Sequence, residues 1–185
     1  MVDDVLPPVY QVYVETSIPS RLTDYHVAGK TQLSPDDIDA LGTLMDRSDV
    51  RLVTSSKTLE EFKNTKEPAH QLALRVFYRL MDKVETIPHI RPTPRIIRAA
   101  GPGRPMITGP QSANDPLFDK LRQVFDADDA EHVFQAMKAN SDYFLTSDYR
   151  TIIERVANRA AEVHRVCGSL KFVDPKQLLQ DLPPG

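Results

Sequence analysis

One cysteine, Cys167, is all the chain has, so no disulfide can form within it and a disulfide-stapled scaffold is excluded. Long hydrophobic runs are missing as well: nothing approaches the roughly 18 apolar residues a membrane-spanning helix needs, and no membrane association is expected. The opening "MVDDVLPP" carries acids early and no apolar stretch, unlike a secretory signal, so the expected compartment is the cytoplasm. Nor is there an excess of positive charge. The net charge is -3 and the pI about 5.9, which gives no global attraction to polyanions and leaves any nucleic-acid contact to a local basic surface. No internal repeat or low-complexity tract breaks the chain, apart from one Pro-rich stretch.

What is present is ordinary globular composition, 41% hydrophobic and 26% charged, enough to bury a core. The length suits a single domain over residues 1–185 that carries an insertion. Five short apolar runs read as strands, at residues 9–14, 50–53, 84–87 (the weakest), 143–145 and 170–173. Helical patterns lie between most of them. In "SPDDIDALGTLMDRS", Ser34 is placed as N-cap, Pro35 at the first helical position and Asp37 three residues after the cap, with Ile38, Leu41 and Met45 as the buried stripe. Ser55 or Ser56 starts "KTLEEFKN", and a longer helix follows Pro68 with Ala73, Val76, Phe77 and Leu80 at helical spacing. Asp115 and Pro116 open another; Ala130, Val133, Phe134 and Met137 mark the next; Ile153, Val156, Ala157 and Ala160 form the stripe after the fourth strand; Asp174 and Pro175 begin the last. Strands alternating with helices imply a parallel sheet with crossover helices on both faces, a three-layer α/β/α sandwich of about five strands.

The pattern breaks at residues 88–116, "PHIRPTPRIIRAAGPGRPMITGPQSANDP", a Pro- and Gly-rich insertion or flap. Arg91, Arg95, Arg98 and Arg104 lie in it, with no acid between Glu85 and Asp115. These arginines, together with Lys57, Lys63 and Lys66, are candidates for a phosphate track.

In "VYQVYVETSIPS" a run of strong β formers stops on the carboxylate of Glu15. Ligands of an open α/β sheet bind outside the carboxyl ends of its strands. Glu15 ends the first strand there, Glu60 and Glu61 lie in the helix entered from the second, and Asp148 follows the fourth in "YFLTSDYR". The helix leading into the fourth strand starts near Asp128 and Asp129 and runs antiparallel to the strands, so its N-terminus shares the rim. Taken singly, the aspartates also suit helix N-termini. Four carboxylates held close repel one another unless a cation compensates. Oxygen ligands without a Cys or His set favour Mg2+ or Mn2+, which activate water for in-line phosphodiester hydrolysis.

These residues resemble the PIN domain family of metal-dependent nucleases, which includes the toxin ribonucleases of toxin-antitoxin pairs. "YVETSIPS" resembles the family's first strand with its acid-Thr-Ser signature; "TLEEF" is similar to the helix after the second strand, with Glu61 before Phe62 as the matching acid. "DAEHVFQA" resembles the run that places the third acid at Asp129, and "FLTSD" the strand end that places the fourth at Asp148. The resemblance implies strand order 3-2-1-4-5 and Mg2+- or Mn2+-dependent cleavage of RNA, with Glu15, Glu61, Asp129 and Asp148 as catalytic metal ligands. For toxin members it also implies an antitoxin partner and a homodimer. Two departures are visible: Glu15 stands where the family more often has aspartate, and the flap is longer than the compact toxins need.

Thr16, Ser17 and Thr146 flank the acids as hydroxyls that orient carboxylates or satisfy local backbone. His132, three residues after Asp129, is placed to hydrogen-bond it. The rival class is a catalytically inactive PIN-like binding or assembly module. A phosphoaccepting receiver fits less well, since it needs an Asp where "VETIPHI" stands; an aspartyl phosphatase needs Asp-x-Asp where "VETS" offers one acid.

Overall fold

The computed structural model describes residues 10–24, 33–64, 66, 68–92, 97–99, 105–107 and 112–184. Along the chain run β1 (Tyr10–Val14), α1 (Ser17–Thr23), α2 (Pro35–Asp46), β2 (Val50–Thr54), α3 (Ser56–Lys63), α4 (Pro68–Leu80) and β3 (Asp82–Lys83). Then come β4 (Ile90–Pro92), β5 (Ile97–Ala99), β6 (Pro105–Ile107), β7 (Ser112–Asn114), α5 (Pro116–Leu121) and α6 (Ala127–Lys138). The last part holds β8 (Tyr143–Leu145), a π-type turn (Tyr149–Ile153), α7 (Glu154–Asn158), α8 (Ala160–Cys167), β9 (Lys171–Val173) and α9 (Pro175–Asp181). β1 is the centre of a five-stranded sheet of order β3-β2-β1-β8-β9, and every pairing in it is parallel. This is the expected 3-2-1-4-5 order, with Val9, the expected first residue of β1, outside the described residues.

Alternation along the strands divides the core into two layers. Tyr13 of β1 and Phe144 of β8 point to the side of α5, α6 and α8, where they meet Leu121, Val133, Phe134 and Val163. Val12, Val14, Tyr143 and Leu145 point to the opposite side, against Ile18, Leu41, Leu44 and Leu178. Both faces are covered, which is why these strands are apolar throughout. No helix among the described residues is long and apolar enough to cross a membrane.

Helix starts follow local chemistry. Ser34 and Asp37 form a reciprocal capping box before α2, with the Ser34 hydroxyl accepting from the Asp37 N–H at 3.1 Å. Asp115 and Asp174 cap α5 and α9, each followed by Pro.

Four expectations about packing are corrected. In α2 the sheet-facing residues are Ala40, Leu41 and Leu44, while Met45, about 100° further round the helix, is 49% exposed. In α4 the inward side is Leu74 with Phe77 half-buried; Leu72, Val76 and Leu80 are 65%, 50% and 68% exposed, and Ala73 is exposed as well. The helix after β8 is interrupted: the π turn inserts a residue and resets the phase, so Ile152, Val163 and Cys167 are buried whereas Ala157 and Ala160 are exposed. The third strand is Asp82–Lys83 rather than 84–87. Its ladder stops after the Val84 N–H reaches the Thr54 carbonyl at 3.0 Å. Beyond that, the side chain of Gln135 takes both backbone groups of Ile87, accepting from its N–H at 2.9 Å and donating to its carbonyl at 2.8 Å. Val84 and Ile87 still pack against the core.

Within 88–116, β4 pairs with β7 and β5 with β6, both antiparallel, so that in chain order the second pairing falls within the first. Arg91 and Arg98 lie on these ladders. Arg95 and Arg104 lie outside the described residues.

Candidate functional site

Because all five strands are parallel, their carboxyl ends share one edge, and the first acid stands where β1 reaches it. The Glu15 N–H extends the ladder to the Leu145 carbonyl at 3.0 Å. Its side chain is buried, with both oxygens bonded: Oε1 accepts from the Ser17 N–H and Oε2 from the Thr146 hydroxyl, each at 2.9 Å. Neutral donors of the "ETS" turn and of the β8 end therefore make a buried acid tolerable at this point. Thr146 also ties in the fourth acid, because its Oγ1 accepts from the Asp148 N–H at 3.0 Å. Asp148 caps the π turn, Oδ1 accepting from the Thr151 N–H at 3.0 Å and Oδ2 from the Thr151 hydroxyl at 2.8 Å.

Asp126 is the N-cap of α6, and Asp128 and Asp129 are in its first turn. They face different ways. Asp128 is 82% exposed and pairs with Lys57 at 3.3 Å, whereas Asp129 turns inward. Burial pushes the Asp129 carboxyl up to about 6, the charges of Glu15, Asp148 and Asp126 add to this, and hydrogen bonding from Thr151 opposes it. Its Oδ2 is buried with no hydrogen-bond partner.

Of the two neighbouring acids on α3, Glu60 is exposed and Glu61 half-buried. Glu61 Oε1 meets His132 Nε2 at 3.0 Å. The imidazole, 2% exposed, also has Thr16 Oγ1 at 3.2 Å from Nε2 and the Tyr13 hydroxyl at 3.0 Å from Nδ1. Tyr13 in turn contacts Ser55 Oγ at 2.7 Å. Burial works against the charged form of both members of the Glu61–His132 pair, but their mutual attraction wins: it holds the carboxyl below its ordinary range and lifts the imidazole. His132 therefore pairs with Glu61 and not with Asp129 as the α6 spacing suggested. α3 itself is capped from outside, with the Ser56 N–H donating to Thr86 Oγ1 at 2.9 Å.

Lys57 is likewise committed. Its Nζ lies 3.0 Å from Glu131, 3.3 Å from Asp128 and 3.8 Å from Glu61, and its side chain is 14% exposed. Lys63 and Lys66 are exposed. Glu131 is not among the acids that the sequence pattern places at this rim. The signal was there: Asp128 and Glu131 are three apart on α6 and so share a face.

Hydroxyls thus line the rim beside the predicted acids: Thr146 joins Glu15 to Asp148, Thr151 bonds Asp148, and Thr16 meets His132 beside Glu61. As the side chains stand, no three His, Cys, Asp or Glu groups among the described residues are gathered closely enough to hold a metal ion. Glu15 and Asp148 accept these threonine bonds with lone pairs to spare, since an ionised carboxylate has about four acceptor sites. The partnerless Asp129 oxygen fits a cation, and the all-oxygen donor set fits a hard one such as Mg2+ or Mn2+. In comparisons with protein-family models, curated proteins and solved structures, none matches this chain.

Proposed function

We propose that the chain is a PIN-like, divalent-metal-dependent endoribonuclease in which Glu15, Glu61, Asp129 and Asp148 serve Mg2+ or Mn2+ at the carboxyl rim of the sheet. The observation that carries this reading is the buried, partnerless oxygen of Asp129 in the field of Glu15 and Asp148. A carboxyl that burial and like charges hold near 6 is costly in a structural role and ordinary at a site built for a cation. A bound divalent ion supplies charge neutralisation and a water of lowered pKa for in-line attack on phosphorus. The chain's own residues orient that chemistry. Thr146 and Thr151 fix the rotamers of Glu15 and Asp148, and His132 with Tyr13 behind it holds Glu61 ionised. RNA as substrate and an antitoxin or a second copy as partner follow from the resemblance and belong to the same proposal, as does the cytoplasm as compartment, which the lone cysteine and the opening residues suggest.

The test is cleavage of single-stranded RNA, with DNA as control, in Mn2+ and in EDTA. Asp129→Asn or Asp148→Asn should reduce cleavage by more than the roughly 10–100-fold cost of losing a residue that only supports a ligand, with an unchanged circular dichroism spectrum. Full activity in both variants would defeat the proposal. A second reading, a binding module without cleavage, is favoured by the Lys57–Glu61 ion pair, which partly satisfies one acid without a metal. It predicts folded protein with no metal-dependent cleavage and no rise in melting temperature with Mn2+.

A further inference from the structure

Among the described residues, Lys57 is the one lysine or arginine at the rim whose ion-pair partners include three carboxylates. It lies one helical turn before Glu61 on α3, and its three donors face three carboxylates, Glu61, Asp128 and Glu131. The other oxygen of Glu131 faces His89 Nδ1 at 3.8 Å. His132 adds a second positively polarised group to Glu61. Burial works against the ammonium, but Glu131 and Glu61 outweigh it and keep Lys57 charged.

The other side of the rim is built differently. Glu15 and Asp148 are bonded by neutral donors, the N–H groups of Ser17 and Thr151 and the hydroxyls of Thr146 and Thr151. Among the described residues, no lysine, arginine or histidine makes an ion pair with Glu15, Asp129 or Asp148. Arg155, whose charge reaches Asp129 and Asp148, is committed to Asp126 at 3.1 Å.

Resting on the proposal that the rim binds a divalent ion, we infer that the four predicted ligands divide into two charge compartments. Lys57 is the resident cation of the Glu61–Asp128–Glu131 side, and a single divalent ion is taken by Glu15, Asp129 and Asp148, with Glu61 positioning rather than ligating. Two-metal hydrolases place their ions about 3.5–4 Å apart. A second ion taken by Glu61 would have to share that carboxylate with the Lys57 ammonium, 3.8 Å from its Oε1, and a compact point charge repels a divalent neighbour. The charge that a second metal would bring is thus supplied covalently. It does not depend on metal supply.

Isothermal titration of the purified full chain with MnCl2 tests this, with circular dichroism confirming the fold of each variant. Wild type should take one Mn2+ per chain. Glu61→Gln should still take one, with a Kd within about threefold of wild type, whereas Asp129→Asn should bind more than about tenfold more weakly. Lys57→Met, which takes the ammonium away from three carboxylates and leaves only the imidazoles of His132 and His89 beside two of them, should gain a second, weaker Mn2+. Two ions in wild type, loss of binding in Glu61→Gln equal to that in Asp129→Asn, or a folded Lys57→Met that still takes one ion would each overturn the division. The first two readouts stand even if Lys57→Met fails to fold. Folded wild type that takes no Mn2+ would instead defeat the underlying metal reading, and the division with it.

Discussion

Replacing Asp129 by asparagine should stabilise the metal-free protein while removing its proposed activity. The carboxyl titrates at about 6 against an ordinary 3.8, raised first by burial and then by Glu15, Asp148 and Asp126. At about 1.4 kcal/mol per pH unit this gap corresponds to ~3 kcal/mol. Because the side chain keeps part of its surface in water, screening reduces the figure to about 1–2 kcal/mol. The folded state holds the proton more tightly than the unfolded chain does. Folding is therefore unpenalised below 3.8, loses stability as pH rises towards about 6, and carries the full cost above it. Asparagine keeps the shape, removes the charge and offers an amide to the neighbouring carboxylates. Urea denaturation should show Asp129→Asn more stable by about 1–2 kcal/mol at neutral pH, or about 2–8 °C in melting temperature for a chain of this length. The advantage should shrink towards zero near pH 4. Saturating Mn2+ should reverse the order, since only wild type gains binding energy. An asparagine variant less stable than wild type at neutral pH, or an advantage that persists on acidification, would refute the reasoning.

Other outcomes follow from particular contacts. Gln135→Leu removes both partners of the Ile87 backbone and should cost about 1–3 kcal/mol in chemical denaturation; a neutral result would show that this segment satisfies itself. Tyr13→Phe takes away the hydroxyl between Ser55 and His132 and should cost about 1–2 kcal/mol without changing Mn2+ stoichiometry, which titration checks. Leu72→Lys and Val76→Gln, on the exposed side of α4, should change stability by less than about 0.5 kcal/mol. A larger loss in thermal melts would mean that this side is covered.

The parts of the fold legible in the sequence are those where local chemistry and global packing agree. Ser34, Pro35 and Asp37 announce a capped helix wherever they stand, and the structure completes the box. Continuous apolar strands imply cover on both faces, and the sheet has it. Helix phase was harder to read, because α2 and α4 carry apolar residues on more than one side. Leu44 and Met45 are adjacent and alike in hydrophobicity, so only the sheet decides which turns inward. At the rim, Glu15 stood out because a strand stops on it, and Asp148 because it follows another. Partnerships were invisible: Glu61 and His132 are 71 residues apart, and an i,i+3 neighbour on α6 looked the better match for the histidine. The role of Lys57 was hidden for the same reason, since two of its three partners lie across the sheet edge on α6. Of the α3 lysines placed on a phosphate track, packing draws Lys57 into an ion-paired cluster, while Lys63 stays exposed.

The central claim is that acids from β1, α6 and the end of β8 serve one divalent ion. It is tested most directly by a crystal of the full chain grown with Mn2+ and measured for anomalous scattering. The account predicts one anomalous peak per chain, in contact with oxygens of Glu15, Asp129 and Asp148, with Lys57 still paired to Glu61. Well-ordered carboxylates with no peak between them, at Mn2+ concentrations that support cleavage, would contradict it.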